Sequence, residues 1–192
     1  MELGLKNKVA LVAGGSMGLG LAVAQMLAAE GARIAICALD DSHLLAAEKE
    51  IRSKTGGEVV AIPADLSDAG QAKAFVTRAF AHFGTVDILV NNAGGPPSVP
   101  FIDIDDDLWN FGFRLNLMST IAMSREVIPV MKEKRWGRII NMTSISVKQP
   151  IDGLILSNTI RAGVIGLAKT LSVKSLAGTM DAAFEIPTLE AL

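Results

Sequence analysis

The sequence predicts a doubly wound α/β domain: one parallel sheet in strand order 3-2-1-4-5 with helices on both faces. Three observations carry this. Short apolar runs alternate with longer segments of helical period from residue 8 to residue 173. The runs are apolar throughout, as strands buried on both faces must be, instead of alternating apolar with polar. Half of the 192 residues are hydrophobic and 18 more are glycine, and mean hydropathy is +0.40. That excess suits a sheet covered on both sides, or a surface buried against a second subunit. Right-handed crossovers then give the strand order.

Each element follows in turn. Residues 8–13 (KVALVA) read as a buried strand and 18–30 as a helix with Leu19, Val23, Met26 and Leu27 on one face. Residues 33–37 (RIAIC) form a second strand, and 41–54 a second helix capped by Asp41 or Ser42. A third strand at 59–62 precedes a helix at 69–83 that Gly84 stops. The fourth strand is 86–90 (VDILV), followed by a Gly- and Pro-rich loop at 94–100. Residues 105–133 read as one long helix that Pro129 kinks or ends early. The fifth strand is 138–142 (RIINM), and a last helix spans 154–173. These elements make a single domain over 1–173 and leave 174–192 as a divergent tail.

Charge and composition narrow the function classes. A net charge of −2 and a pI near 5.7 argue against nucleic acid or an anionic membrane as partner. No stretch reaches the roughly 18 uncharged apolar residues that a membrane span needs, and the first eight residues do not read as a signal peptide. Cys37 is the single cysteine, so no intrachain disulfide forms, which suits a cytoplasmic protein.

The chemistry begins after the first strand. Gly14-Gly15-Ser16-Met17-Gly18-Leu19-Gly20 runs directly into a helix. Glycines there allow a tight turn, close backbone approach to a pyrophosphate, and close packing of helix on strand. The helix N-terminus then offers free N–H groups and the positive end of its dipole. Asp40 lies 20 residues after Gly20, where a carboxylate can bind adenosine ribose hydroxyls; it can equally cap the second helix.

At this point the chain resembles the short-chain dehydrogenase/reductases, and among them the 3-oxoacyl reductases. Gly14, Gly18 and Gly20 have that family's glycine spacing, with Ala13 where Thr is usual. Asp65-Leu66 follows the third strand, where the family contacts adenine, and Asn91-Asn92-Ala93-Gly94 matches its motif after the fourth. Asn116 and Ser144 match its catalytic Asn and Ser. The resemblance covers roughly residues 5 to 173. It implies a Rossmann-like fold, an NAD or NADP cofactor, and hydride transfer to or from a small carbonyl or alcohol substrate. It also implies a homo-oligomer, dimer or tetramer, built on the last two long helices. Cofactor contacts would come from Gly14, Ser16, Met17, Gly18, Leu19, Gly20, Asp40, Asp65, Leu66, Asn92, Ala93, Gly94 and Arg161. NADP-preferring members often carry Arg where this chain has Met17 and Leu39, so the sequence leans slightly to NAD.

The departures are as informative. The family's acid is a Tyr, expected 13 residues after Ser144, with a Lys four further on; here those positions hold Ser157 and Arg161, and the chain contains no tyrosine. A serine hydroxyl is too weak an acid to supply a proton near neutral pH unaided. Arg161 can bind ribose hydroxyls but stays protonated. Lys148 is the substitute acid to consider, since a desolvated lysine can act there; the alternative is a solvated surface lysine. Ser157 reads either as a residue that positions substrate or a water, or as a hydroxyl at the helix start satisfied by backbone.

Other features carry less. Asp103, Asp105, Asp106 and Asp107 read as helix-start carboxylates, and no metal site is expected. His43 and His82 read as surface residues. Gly95-Pro96-Pro97 sits on the carboxyl edge and is expected to line the substrate pocket. The family's sixth strand, nicotinamide loop, substrate lid and seventh strand are not recognisable after Leu171, so the fifth-strand edge is exposed unless the tail or a partner subunit covers it. Three readings stand: an oxidoreductase with an atypical proton relay, an inactive dinucleotide-binding or dimerisation partner, and a truncated product with little function of its own.

Overall fold

The computed structural model describes residues 3–175 and 181–185. Six parallel strands form one sheet in the order β3-β2-β1-β4-β5-β6. They are β1 (Val9–Ala13), β2 (Arg33–Cys37), β3 (Val59–Ala61), β4 (Ile88–Asn91), β5 (Arg138–Met142) and β6 (Asp181–Glu185). The expected order of the first five is observed. The sixth comes from the tail and covers the β5 edge, one of the two covers expected for it: β6 pairs with β5 from Arg138↔Asp181 to Met142↔Glu185. Only 181–185 of the last part of the tail lies within the described residues.

Every residue of β1 is fully buried, which is why its sequence shows no alternation. Its side chains still alternate in space. Val9, Leu11 and Ala13 pack with Phe75, Val76, Met123 and Val127 of α3 (Ala69–Phe83) and α5 (Ser119–Glu133). Ala10 and Val12 pack with residues of α1 (Gly18–Ala29) and α2 (Asp41–Thr55). Among the described residues no helix is long and apolar enough to cross a membrane.

Three helix expectations change. The buried face of α1 is Gly20, Ala24 and Ala28, while Met26 is 72% exposed. The helix lies too close to the sheet for large side chains, so the small residues face inward. Asp40, not Asp41 or Ser42, caps α2 by accepting from the His43 N–H. The long helix is continuous but not uniform: α4 (Asp106–Phe113) runs through a π-helical turn at Arg114–Met118 into α5. Pro129 lies inside α5 without ending it. The π-turn leaves carbonyls without their usual helical partner, and side chains satisfy two of them. Ser119 Oγ donates to Leu115 O (2.5 Å), and Thr120 Oγ1 donates to Asn116 O (2.8 Å). The last helix, α6 (Ile155–Ser175), packs against the π-turn and α4. Its stripe Leu156, Ile160, Val164 is buried within the chain itself.

Candidate functional site

The glycine loop and the loop after β4 interlock. Gly14 has φ +60, and a Cβ there would stand 2.3 Å from the Asn92 carbonyl oxygen. A Cβ on Gly20 would stand 2.1 Å from the Gly14 carbonyl oxygen. Asn92 Nδ2 donates to that same carbonyl at 3.2 Å. Only glycine lets helix, turn and neighbouring strand approach this closely. Gly18 differs: it needs its positive φ of +55, but nothing lies within 4 Å of its Cβ position. Ser16 is half-buried, and Met17 and Leu19 are exposed beside it.

The N-terminus of α1 has no side-chain cap and no acid in its first turn. Asp40, Asp68 and Asp105 cap α2, α3 and α4. First-turn N–H groups of α1 therefore remain available to an anion.

Of the two acids expected to hold adenosine, both carboxylates bond locally. Asp40 accepts from Ser42 Oγ (2.6 Å) and His43 N (2.9 Å), which holds its carboxyl below the usual range. The capping alternative is the one this geometry favours, because the free N–H of the helix start lies within reach. Asp65 accepts from the N–H and the hydroxyl of Ser67, both at 2.8 Å. Leu66 turns its side chain into the core.

The other half of the site lies at the ends of β4 and β5. Asn116 sits in the π-turn, buried, and its Nδ2 donates to Gly94 O at 2.8 Å. Ser144 Oγ accepts from Ser146 N at 3.1 Å. Ser146 Oγ lies 3.4 Å from Ser157 Oγ, with both residues buried. Ser157 thus turns inward onto another hydroxyl. Arg161 Nη1 donates to Met142 O (3.0 Å) and Nη2 to Ala93 O (3.4 Å), clasping the ends of β5 and β4. Burial lowers its pKa from the ordinary value. Ala93 is half-buried and Gly94 exposed. Lys148 ends a 3-10 turn, Ile145–Val147, and is exposed. The desolvation that its role as substitute acid demands is absent there. Pro96 is buried, whereas Gly95 and Pro97 are exposed, and Ser98 Oγ ties this loop to Gly153 O at 2.7 Å.

The pattern for short chain dehydrogenases matches residues 8–178. The chain belongs to the short-chain dehydrogenase family. It is 40% identical over 168 residues to a granaticin polyketide synthase protein of Streptomyces violaceoruber named for ketoacyl reduction. That match covers 86% of this chain and 61% of the relative. Nodulation protein G of Azospirillum brasilense is 35% identical over 170 residues, 88% of this chain and 69% of that one. The chain therefore spans between 61% and 69% of the length of these two relatives. Among solved structures, L-sorbose reductase from Gluconobacter frateurii, complexed with NADPH and L-sorbose, superposes with a TM-score of 0.94 at 31% identity. The superposition covers 98% of this chain and 72% of that one. An actinorhodin polyketide ketoreductase with NADPH gives 0.89 at 30% identity, covering 94% and 70%.

For a short-chain dehydrogenase, the residues present fit a dinucleotide on one side and depart from the family on the other. An uncapped helix behind a glycine turn suits a pyrophosphate. At the far end, hydroxyls and a guanidinium stand where a phenol and an amine are expected. Sequence reading missed Ser146, whose only signal was its spacing of two from Ser144. It also missed a buried amide pair: Asn91 Nδ2 donates to Asn141 Oδ1 at 2.7 Å across register-matched positions of β4 and β5. A polar residue inside each apolar strand was the available signal. Among the described residues no group of His, Cys, Asp and Glu side chains suits a metal ion. His43 and His82 lie near Asp40 (3.5 Å) and Glu58 (3.3 Å) on the surface. The Cys37 thiol is buried in the core, and its pKa is pushed up to about 12.

Proposed function

We propose that the chain is the nucleotide-binding part of an NAD(P)-dependent oxidoreductase that acts on a small carbonyl or alcohol substrate. The observation that carries this reading is the uncapped start of α1 behind a glycine turn locked to Asn92. Gly14, Gly18 and Gly20 would hold the pyrophosphate with the first-turn N–H groups, with Ser16, Met17 and Leu19 around them. Asp65, Leu66, Asn92, Ala93 and Gly94 would line the remainder, Leu66 through its backbone. A bound nicotinamide supplies or takes the hydride.

The chain's own residues do the rest. Ser144 Oγ accepts the Ser146 N–H, which leaves its own proton free for a substrate carbonyl oxygen. Asn116 holds the Gly94 carbonyl and so fixes the loop beside the substrate. Ser157 orders Ser146 and supplies no proton. Solvent is then the proton source, with exposed Lys148 four residues after Ser144. Arg161 fixes the two strand ends together.

Cofactor preference stays open to either dinucleotide in this reading. The slight lean to NAD follows from the absence of arginine at Met17 and Leu39, and Asp40 is engaged as a helix cap. A second reading, a dinucleotide-binding partner without turnover, is favoured by one observation: a buried Ser157, whose hydroxyl lies 3.4 Å from that of Ser146, stands where the family's acid is expected. As part of the proposal, a second copy of the chain packs on α5 and α6. An apolar groove of about 290 Å³ runs between them, lined by Ile121, Ile128, Pro129, Leu167 and Leu171. A buried single thiol accords with a cytoplasmic setting.

Separate titrations with NADH and NADPH, followed by nucleotide fluorescence, test the reading. Binding that is lost in Gly18→Asp supports it; failure of both nucleotides to bind overturns it. A screen of carbonyl substrates with a Ser144→Ala control then separates enzyme from silent partner. Light scattering reports the oligomer.

A further inference from the structure

The two faces of the sheet are covered unequally. α3, α5 and α6 lie on one face; among the described residues only α1 and α2 lie on the other. α2 packs over β2 and β3, and α1 over β1 and β2. The consequence shows in β5. Ile139 and Asn141 point to the three-helix face and are each 4% exposed. Arg138, Ile140 and Met142, which alternate with them, are half-buried. A strand of a parallel sheet is ordinarily covered on both sides.

The flank of α1 beside this opening is apolar as well. Gln25 Nε2 donates to Glu50 Oε1 of α2 at 2.9 Å, so that flank of α1 faces α2. By helical period Leu19, Val23, Met26 and Leu27 lie on the opposite flank, toward β4 and β5. They are the face that apolar spacing singles out in the sequence, yet Gly20, Ala24 and Ala28 are the residues turned onto the sheet. Val23 and Leu27 are half-buried, Leu19 and Met26 exposed. With Ile140 and Met142 they form an apolar trough, β5 its floor and α1 one wall. A contiguous apolar surface of this kind marks an interaction site.

The trough has a charged end. Trp136 stands there, at the amino edge of the sheet, with Lys8 Nζ 3.9 Å and Arg138 Cζ 5.1 Å from its ring centre. Asp87 lies 4.0 Å from Lys8 and is shared with Lys134 at 2.5 Å, so one carboxylate stands against two ammonium groups. A helix C-terminus carries unpaired carbonyls and the negative end of the dipole, which cations stabilise. A helix laid in the trough with that end at Trp136 runs antiparallel to the strands, as α1 does beside it.

We propose that the trough receives an amphipathic helix of a separate polypeptide, its apolar stripe on Ile140, Met142 and the outer flank of α1 and its C-terminus at Lys8. The five residues of β5 span roughly 17 Å, which a helix of about 12 residues covers. The described helices of the chain are held on their own sheet, so a second copy brings no free helix among them to this face. The surface is on the opposite side of the sheet from the α5–α6 groove.

The test uses Trp136 as reporter, in a Trp109→Phe background that leaves it the single tryptophan. The probe is a synthetic peptide of about 16 residues, long enough to form a helix, with leucine at i, i+3, i+4 and i+7 and glutamine elsewhere. It is made once with a free C-terminal carboxylate and once as the carboxamide. A saturable blue shift of Trp136 emission is expected. Met26→Glu, at an exposed position, should weaken binding at least about tenfold by setting a charge against the leucine stripe. The carboxylate form should bind about two- to fivefold more tightly than the carboxamide, a margin that shrinks with added salt. No shift with peptide up to about 1 mM, where even weak association registers, overturns the proposal. Binding that survives Met26→Glu puts the helix elsewhere and overturns it as well. Equal affinity of the two forms overturns the assigned chemistry of the partner. If the peptide-free protein is a dimer that Met26→Glu dissociates in light scattering, a second copy fills the trough and the proposal falls.

Discussion

The two edges of the sheet treat their polar groups in opposite ways. At the amino edge Asp87 accepts from Val9 N at 2.8 Å and from Lys134 Nζ at 2.5 Å, with Lys8 at 4.0 Å. Lys134 also donates to Thr85 Oγ1 and Val86 O. Lys8 and Arg138 flank the Trp136 ring. At the carboxyl edge Asn91 Oδ1, Asn116 Oδ1 and Thr143 Oγ1 are buried without a hydrogen-bond partner, and α1 starts without a cap. Arg33 Nε, at the start of β2, is the one such atom at the amino edge among the described residues. Unsatisfied polar groups oppose folding, and among the described residues they concentrate where strands β4 and β5 end and loops begin. Both edges use polar groups to hold the sheet together, but only the carboxyl edge leaves several of them unsatisfied among the described residues.

Substitutions can break that contrast. Asp87→Ala removes the acceptor for a buried N–H and strands Lys134; it should cost about 3 kcal/mol in denaturant unfolding while nucleotide titration of the folded fraction stays unchanged. Gly20→Ala forces a Cβ onto the Gly14 carbonyl and should cost about 2 kcal/mol through backbone displacement. Unlike the first change, it should also weaken NADH or NADPH binding, because it shifts the loop. Gly18→Asp meets open space, so its stability loss should stay near 1 kcal/mol for the left-handed conformation. Nucleotide binding should nonetheless disappear, through repulsion at the helix start. Equal loss of binding in Asp87→Ala would show that the two edges are not independent.

The smallest effect concerns pH. Asp40 has its carboxyl pKa lowered by Ser42 and His43. A carboxylate with a depressed folded-state pKa contributes stability above its unfolded pKa and loses it as pH falls through the folded value. Thermal melts should therefore show an acid-side decline that Asp40→Asn flattens. At neutral pH the variant should melt as the parent does, because Asn caps a helix about as well as Asp.

Much of the fold was legible because burial leaves its signature locally. The continuous runs at β1 and β2, Gly84 at φ +76 after α3, and the glycine turn before α1 all follow from steric and solvation rules that act over a few residues. The candidate site was legible as far as its motifs reach: Gly14 to Gly20, Asn92, Asn116 and Ser144. What failed was anything requiring a choice between partners. The sequence offered Asp40 as a ribose ligand or a cap and Lys148 as a buried acid or a surface group; only packing placed the first on His43 N and the second in solvent. It gave no sign that Ser157 meets Ser146.

By itself the sequence determined the layered α/β fold, the order of the first five strands and the glycine turn before α1, since each depends on local period, glycine sterics and helix termini. Tertiary structure alone decided which carboxylates are occupied and which hydroxyls and guanidinium groups turn onto other parts of the chain. Those properties depend on atoms from distant segments meeting within hydrogen-bond distance, and no local rule of chain geometry specifies that meeting.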